Sequence, residues 1–149
     1  MIEKLTESVR RFMGAGGQEV HSLPAIPTQN TAQLRADLLA EEYGEFVAAH
    51  KAFTAAAYYN PSSEYPVSDH HFIDLADALA DMVYVIAGTA ITYGIDLDEA
   101  LREVCRSNDT KIVDGRLIRR EDGKILKPEG YEPPDLAAVL FPQEGEVGR

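Results

Sequence analysis

The chain is poor in cysteine, tryptophan and positive charge. Among its 149 residues there is one cysteine and no tryptophan, and 14 Lys and Arg stand against 25 Asp and Glu, for a net charge of -11. A single cysteine, Cys105, excludes an internal disulfide and suits a reducing compartment, so we expect a cytoplasmic protein. The excess of acids argues against a general binder of nucleic acid or of anionic membrane surfaces.

Long hydrophobic runs are missing as well. The N-terminus has no apolar run of the signal-peptide type, and no window approaches the roughly 20 apolar residues of a membrane span. We therefore expect no membrane partner. With 45% hydrophobic and 26% charged residues, the chain is expected to form a single domain, residues 1–149, with its core at about 31–112. An N-terminal helix and loop, 1–30, and a C-terminal loop and tail, 113–149, flank that core.

What the sequence does contain is helical periodicity. Apolar residues recur at spacings of three and four and predict four helices, at about 2–13, 31–58, 71–93 and 97–108. Thr31 and Asp96 are suited to cap the N-termini of the second and fourth helices, and Gly94 is suited to end the third. Within the fourth helix, we expect Cys105 to be a small core residue.

Turn-forming residues occupy much of the remainder. The segment "NPSSEYP" at 60–66 predicts a loop between the two long helices. Downstream, Asp-Gly pairs at 114–115 and 122–123 lie between short apolar runs, and one of them is expected to close a small hairpin. The polar tail from Gln143 is expected to fray. The fold class is therefore all-α, a helical bundle with a small irregular or hairpin C-terminal segment.

The two long helices carry acids where apolar residues are expected. An α-helix turns about 100° per residue, which places three glutamates of the first long helix within the arc of its apolar side chains. On the second, three aspartates lie within about 60° of one another, and no Lys or Arg occurs between Phe72 and Leu101. These acids are Glu41, Glu42, Glu45, Asp74, Asp77 and Asp81. We expect them to point into the protein, where buried carboxylates require a counter-charge.

A divalent metal ion is the simplest counter-charge. Carboxylate oxygens suit Mg²⁺, and Mn²⁺ as well, and Mg²⁺ shares its coordination shell with substrate phosphates. A di-iron site is disfavoured because no Glu is followed by His three residues later, and a zinc site because the chain has one Cys and scattered His. The alternative without a metal is a solvated acidic helix face, which the surrounding apolar stripe disfavours.

Four segments together resemble a known enzyme superfamily. The segments "LLAEEYGEF", "ALADMVYVIAG", "SNDTK" and "KPEGY" resemble the all-α nucleotide pyrophosphohydrolases, which include the MazG proteins, phosphoribosyl-ATP pyrophosphohydrolase and the dimeric dUTPases. The resemblance covers about residues 31–135 and is closest to a MazG-like subgroup with dUTP-hydrolysing members. It implies a bundle assembled as a homodimer or homotetramer, with the active site near the subunit interface. It also implies hydrolysis of a nucleoside triphosphate to the monophosphate and pyrophosphate with Mg²⁺ or Mn²⁺.

The resemblance also implies a set of metal ligands. The superfamily pattern is EExxE on one helix and ExxD on the next. By position, Glu41, Glu42 and Glu45 match the first motif, and Asp81 matches the aspartate of the second. A glutamate that is not fully used as a ligand can orient the attacking water, and we expect Glu42, together with Glu41, to be the catalytic pair.

The second motif departs from the superfamily pattern at one position. Ala78 stands where ExxD has its glutamate, and Asp77 lies one place earlier, four residues before Asp81. Four residues correspond to about 40° on a helix, so Asp77 and Asp81 share a face. We expect Asp77 to replace the missing glutamate as a ligand, with Asp74, one turn earlier, supporting the ligands from behind.

Substrate contacts are expected from the end of the fourth helix and the segment after it. Asn108 and Lys111 match an Asn and a Lys that lie near the nucleotide in the resembling proteins. Lys124 and Lys127 are further candidates to bind phosphate, because they cluster in a chain that is otherwise short of bases. Tyr84 lies about 60° from Asp81 on its helix, where its ring could stack on a base or simply pack against the protein.

Three functions compete at this point. The first is hydrolysis of dUTP or another non-standard or excess nucleotide, and the second is hydrolysis of phosphoribosyl-ATP. The third is a helical dimer that binds metal or nucleotide without turnover, which the altered ExxD motif keeps open. The sequence does not identify the preferred base.

Overall fold

The structure is a computed structural model that describes residues 2–59 and 67–142. The chain is mostly helical, as expected from its periodicity, and the all-α class is confirmed. The helices are α1 Ile2–Ala15, α2 Gln29–Thr54, α3 Asp69–Tyr93, α4 Leu97–Asp109 and α5 Leu136–Leu140, and a π-helical turn, Ala55–Tyr59, extends α2. The strands are β1 Ile112–Val113 and β2 Arg116–Leu117. The loop predicted at 60–66 and the tail predicted from Gln143 lie outside the described residues.

The two long helices form the body of the bundle and run antiparallel. Near the start of α2, Arg35 donates from Nε to Thr92 Oγ1 close to the end of α3, at 3.0 Å. At the opposite end of the pair, the rings of Phe53 and Phe72 meet edge to face with centroids 5.1 Å apart. Acids in the middle of α2 are therefore brought alongside acids in the middle of α3.

The helix α1 packs across the C-terminal half of α3 and forms the hydrophobic core with it. Val9 and Met13 from α1 are buried against Ala87 and Ile91 from α3. The small side chain of Ala87 allows the two helices to approach closely, and dispersion contacts grow with that proximity. The chain is thereby organised around α3, which contacts both α1 and α2.

The first turn of α2 begins earlier than the sequence pattern predicts. The N-cap is Thr28, whose hydroxyl accepts from the Thr31 N–H at 3.3 Å, so the assignment of Thr31 as the cap is wrong. The reason is a tertiary contact, because the Glu19 carboxylate accepts from the Thr28 N–H at 3.2 Å and holds it at the cap position. The other two predicted helix signals are confirmed. Asp96 accepts from the Glu99 N–H at 3.0 Å, and Gly94 ends α3 in the left-handed conformation.

The C-terminal segment forms two tight turns and then returns to α4. Asp114 and Gly115 both have positive φ and close the β1–β2 hairpin, as the Asp-Gly pair predicts. A second turn brings Arg119 opposite Ile125 in an isolated bridge. The short helix α5, which the periodicity did not reveal, begins at the N-cap Asp135 and packs against α4.

Cys105 is exposed, so its assignment to the core is wrong. The helix α4 buries only Ser107, whose hydroxyl donates to the Glu132 carbonyl at 2.8 Å. Two residues correspond to about 200° on a helix, so Cys105 faces away from that contact.

The length and composition of α3 correct the expectation that no segment approaches the length and apolar character of a membrane span. An 18-residue window within Asp69–Tyr93 has a mean hydropathy of 1.4, so this helix is long and apolar enough to cross a membrane by that test alone. The central helix of a soluble protein passes the same test. We interpret α3 as such a helix, because it packs against α1 and α2 and carries acids along its length.

Candidate active site

The acids of α2 and α3 meet around Glu42. Burial of this half-buried side chain raises the pKa of its carboxyl, and the charges of four neighbouring carboxylates raise that pKa further. Those neighbours, in decreasing order of effect, are Glu45, Asp81, Glu41 and Asp77. Two elements distant in sequence thus place five carboxylates within electrostatic reach of one another. We call these five residues the acid cluster.

The acid cluster is less buried than the sequence pattern suggested. Glu41, Glu45, Asp77 and Asp81 are exposed in the single chain, so the expectation that they point into the protein is wrong. Glu42 is half-buried, and its buried Oε2 has no hydrogen-bond partner among the described residues. The acids therefore lie along an exposed edge of the α2–α3 pair, and Glu42 is the most buried of them.

The acid cluster suits a hard divalent cation by its chemistry. Within residues 2–59 and 67–142, no three acid, histidine or cysteine side chains already converge to hold a metal ion. A cation would nevertheless give the unpartnered oxygen of Glu42 a partner, and it would reduce the repulsion among the five carboxylates. The donor set consists of oxygen alone, which fits Mg²⁺ or Mn²⁺ and not a metal that prefers sulfur or imidazole.

Asp77, Asp74 and Ala78 occupy different environments on α3. Ala78, at the position of the superfamily glutamate, is buried, with 5% of its surface exposed. Asp77 is exposed and has the smallest effect of the four acids on Glu42. Asp74 lies 3.4 Å from His70, one turn earlier, and is not among the charges that act on Glu42. The structure therefore brings Asp77 to the acid cluster and leaves Asp74 beside His70.

The candidate substrate residues after α4 form a separate group. Lys111 donates from Nζ to Asn108 Oδ1 at 2.7 Å, and its ammonium lies 5.5 Å from the centre of the Tyr131 ring. The ammonium of Lys127 lies 4.8 Å from the same ring. Tyr131 thus holds two cations close together through cation–π contacts. Lys124 is exposed in the second turn and does not share this ring.

Hydrogen bonds fix this lysine group to the end of α4. The N–H of Glu132 donates to Thr110 Oγ1 at 3.0 Å, and the Arg106 guanidinium donates to the Glu132 carboxylate at 2.6 Å. Arg106 also pairs with Glu103, and this contact, together with the Asp135 N–H, lowers the pKa of Glu103 to about 2. These contacts attach the lysine group to the end of α4. Within the described chain, no hydrogen bond or ion pair joins the lysine group to the acid cluster.

Tyr84 lies on the side of α3 that faces α1. Its ring meets Phe12 edge to face, with centroids 6.0 Å apart, and it also packs against the hydrophobic core. It lines a cavity of about 160 Å³ with Leu38 and Arg35. Sequence reasoning did not select Arg35, which is buried. The signal that points to it is the seven-residue spacing to Glu42, which puts both on one face of α2.

Removing the charge of Glu42 should change how stability depends on pH in the metal-free protein. Because its pKa is raised on folding, the native state holds the proton longer than the unfolded state, and stability falls as pH rises from the ordinary glutamate value, about 4.3, through the raised pKa. We expect the Glu42→Gln variant to lose less thermal stability than the parent protein as the pH is raised from 4.5 to 7.5 in EDTA.

The midpoint of thermal unfolding measures this effect. The matched control is Glu121→Gln, at an exposed residue outside the acid cluster, which should follow the parent protein. Added Mg²⁺ should raise the midpoint of the parent protein most at neutral pH, since a ligand that binds only the native state stabilises it. Parallel pH curves for the parent and Glu42→Gln would contradict the placement of Glu42 at the centre of the acid cluster.

Comparison with known families gives one match. The sequence profile of the family described as phosphoribosyl-ATP pyrophosphohydrolase matches residues 9–108, about two thirds of the chain. The matched stretch extends from α1 to the last turn of α4 and includes all five carboxylates of the acid cluster. Lys111, Lys127 and Tyr131 lie beyond its end. No curated protein matches the chain.

Proposed function

The chain belongs to the phosphoribosyl-ATP pyrophosphohydrolase family, and is therefore a pyrophosphohydrolase of the nucleoside triphosphate pyrophosphatase superfamily; on this premise we propose that it hydrolyses phosphoribosyl-ATP to phosphoribosyl-AMP and pyrophosphate. The observation that carries the proposal is the acid cluster, in which Glu42 keeps a buried carboxylate oxygen without a partner. The family match favours this substrate over dUTP. The dUTP preference expected from the sequence has no support in that match.

The reaction needs charge neutralisation and an oriented water. Glu41, Glu42, Glu45, Asp77 and Asp81 would hold Mg²⁺, which when bound neutralises the phosphates and activates water. Glu42, as a ligand that the metal does not fully use, would accept a hydrogen bond from the attacking water, and its unpartnered Oε2 supports this role. The bond between water oxygen and the α-phosphorus forms, the α–β bridging bond breaks, and the proton of the water passes to the carboxylate.

The lysine group supplies the positive charge that the acid cluster lacks. Lys111 and Lys127, held together over Tyr131, are suited to bind the pyrophosphate leaving group. Among residues 2–59 and 67–142 no hydrogen bond or ion pair joins them to the acid cluster, so we propose that an oligomer brings the two together. Exposed apolar side chains on α3, among them Leu79 and Val83, provide a surface for a second copy. Light scattering coupled to gel filtration measures whether the protein is a homodimer or a homotetramer.

A second substrate class is favoured by the C-terminal segment. The "KPEGY" segment containing Lys127 and Tyr131 lies outside the residues that match the family profile and resembles the MazG-like subgroup. This observation favours a common nucleoside or deoxynucleoside triphosphate, dUTP included, as the alternative substrate. Both substrates lose pyrophosphate by the same chemistry, so the acid cluster serves either one.

A substrate panel tests the proposal. Pyrophosphate release is measured by phosphate detection after treatment with inorganic pyrophosphatase, with phosphoribosyl-ATP, ATP, dUTP and the other common triphosphates, in Mg²⁺ and in EDTA. The highest kcat/KM with phosphoribosyl-ATP supports the first substrate, and the highest value with dUTP or another triphosphate supports the second. If none of these substrates is hydrolysed, the result would favour the helical dimer that binds metal or nucleotide without turnover.

Replacing Asp77 tests whether it stands in for the superfamily glutamate. We expect Asp77→Ala to raise the Mg²⁺ concentration needed for half-maximal turnover by about 10- to 100-fold, because the metal loses one of its carboxylates. The matched control is Asp74→Ala on the same helix, which should change that concentration little, because the Asp74 carboxylate is turned toward His70. Equal effects of the two replacements would show that Asp77 is not a ligand.

A further inference from the structure

Within the described part of the chain, Arg35 is a buried cation without a carboxylate partner. Only 6% of its surface is exposed, and among the described residues no Asp or Glu lies within ion-pair distance of it. Its Nε donates to Thr92 Oγ1 at 3.0 Å and its Nη2 to Gln18 Oε1 at 2.6 Å, both neutral acceptors. No acceptor for Nη1 occurs in the described part of the chain. A charge buried in this way costs several kcal/mol unless an anion compensates it.

Two cavities reach this guanidinium. The larger, of about 510 Å³, is lined by Arg35, Gln18, Thr31 and residues beside them. The smaller, of about 160 Å³, extends from Arg35 to Tyr84 and is lined mostly by apolar side chains. Arg35 and Gln18 line both cavities, so a group entering from either side meets the same hydrogen-bond donor.

Arg35 lies on the same face of the α2–α3 pair as the acid cluster. It precedes Glu42 by seven residues, or two helical turns, which separate their backbones by about 10 Å. On α3, Gly88 follows Asp81 by the same seven residues. A Cβ at Gly88 would come within 3.1 Å of Arg35 Nη1, so glycine leaves the space that the guanidinium occupies. The pair thus places a cation about two helical turns from the carboxylates, and Tyr84 lines the smaller cavity beside that cation.

Glu19 lines the larger cavity but is already engaged. Its carboxylate accepts from the Thr28 N–H at 3.2 Å and lies 3.2 Å from His21 Nε2. The contact with His21, followed by those with Thr31 and Thr28, holds the pKa of Glu19 below its usual range. Glu19 is thus committed to the start of α2, and Arg35 keeps its capacity to bind another anion.

We propose that Arg35, positioned by Gln18 and Thr92, binds a second phosphate of the substrate, distant from the triphosphate. This inference rests on the proposed function and names the feature of the substrate that the site selects. Phosphoribosyl-ATP carries such a phosphate on the ribose attached to its purine, at the opposite end of the molecule from the triphosphate. The Nη1 group of Arg35, which has no acceptor among the described residues, can donate a charge-assisted hydrogen bond to a phosphate oxygen. An ordinary triphosphate has no group for this site, so Arg35 determines specificity.

Steady-state kinetics with two substrates tests the role of Arg35. We expect Arg35→Gln to raise KM for phosphoribosyl-ATP by about 10- to 100-fold, the scale of a lost charge-assisted hydrogen bond. The KM for ATP should stay within about threefold of the parent value, because ATP lacks the second phosphate. Arg35→Lys should recover part of the loss, and the exposed Arg102→Gln serves as the control. Equal losses for both substrates would overturn the proposal and make Arg35 a purely structural residue.

A binding experiment separates this proposal from the proposed function. Ribose 5-phosphate is titrated into the metal-free protein in EDTA and followed by calorimetry, so no hydrolysis is required. Binding that is lost in Gln18→Ala, a change at an exposed residue that leaves the core intact, supports the phosphate site even if phosphoribosyl-ATP is not hydrolysed. Hydrolysis of phosphoribosyl-ATP without ribose 5-phosphate binding, and with unchanged KM in Gln18→Ala, would overturn the role of Arg35 alone.

Discussion

Replacing Asp81 with asparagine is expected to lower kcat/KM for pyrophosphate release by about 10²- to 10³-fold, the effect of removing one preorganised electrostatic group from an active site. Asp81 is, after Glu45, the neighbour that acts most strongly on Glu42, and it comes from the opposite helix. Asparagine keeps the shape of the side chain and removes its charge. The exposed position of Asp81 means that the fold should survive the change.

The loss of turnover in Asp81→Asn should come from weaker binding of Mg²⁺. In the parent protein, Mg²⁺ should raise the midpoint of thermal unfolding, and in Asp81→Asn this rise should be largely absent. Asp98→Asn, in the first turn of α4 and outside the acid cluster, is the matched control and should keep both turnover and the Mg²⁺ response. Full turnover in Asp81→Asn at the same Mg²⁺ concentration would show that the acid cluster is not the reaction centre.

Replacing Gly94 with alanine should have the largest effect on stability. Gly94 has φ 66°, and a Cβ added there would lie 1.8 Å from the Leu23 carbonyl oxygen, a backbone atom. The loop containing Leu23 cannot easily yield, because the His21 N–H donates to the Ile91 carbonyl at 3.0 Å and the Ala25 N–H to the Tyr93 carbonyl at 3.1 Å. We expect a loss of about 3–5 kcal/mol, of which the left-handed conformation accounts for roughly 1–2.

Replacing two other glycines with alanine distinguishes the cost of the steric clash at Gly94 from the cost of its left-handed backbone conformation. Gly123 also has positive φ, but an added Cβ would meet nothing within 4 Å, so Gly123→Ala should lose only the conformational part. Gly14 lies within α1 with open space around it, and Gly14→Ala should stabilise the protein by about 0.5–1 kcal/mol. Urea unfolding measures all three. If Gly94→Ala loses no more stability than Gly123→Ala, the loop that contains Leu23 moves aside freely.

Where the relevant signal was periodic, the sequence predicted which acids share a helix face. The spacing of Glu41, Glu42 and Glu45, and that of Asp77 and Asp81, placed each set on one helix face, and the structure brings these five residues together around Glu42. Periodicity says which residues share a face but not whether another element covers that face. That is why four of these acids, expected to be buried, are exposed in the single chain, and why Cys105 was misassigned.

The residues that the sequence did not reveal depend on contacts between distant segments. Tyr131 unites Lys111 and Lys127 only because the chain turns back after α4, and the short apolar runs there have no period to detect. Thr28 caps α2 only because Glu19 reaches it across the preceding loop. The Lys111–Tyr131 contact and the Glu19–Thr28 hydrogen bond each bridge nine or more residues of sequence, a range that no local pattern covers.

By itself the sequence determined the local elements: the helices α1 to α4, the cap at Asp96, the stop at Gly94 and the Asp-Gly hairpin turn. These depend on backbone preferences and hydrogen bonds that act within a few residues. Only the tertiary structure decided that Glu42 is the most buried residue of the acid cluster and that Arg35 is buried against Thr92, 57 residues away. Burial and charge coupling arise from the packing of α2 on α3, and the free energy of a charged group depends on which neighbours that packing supplies.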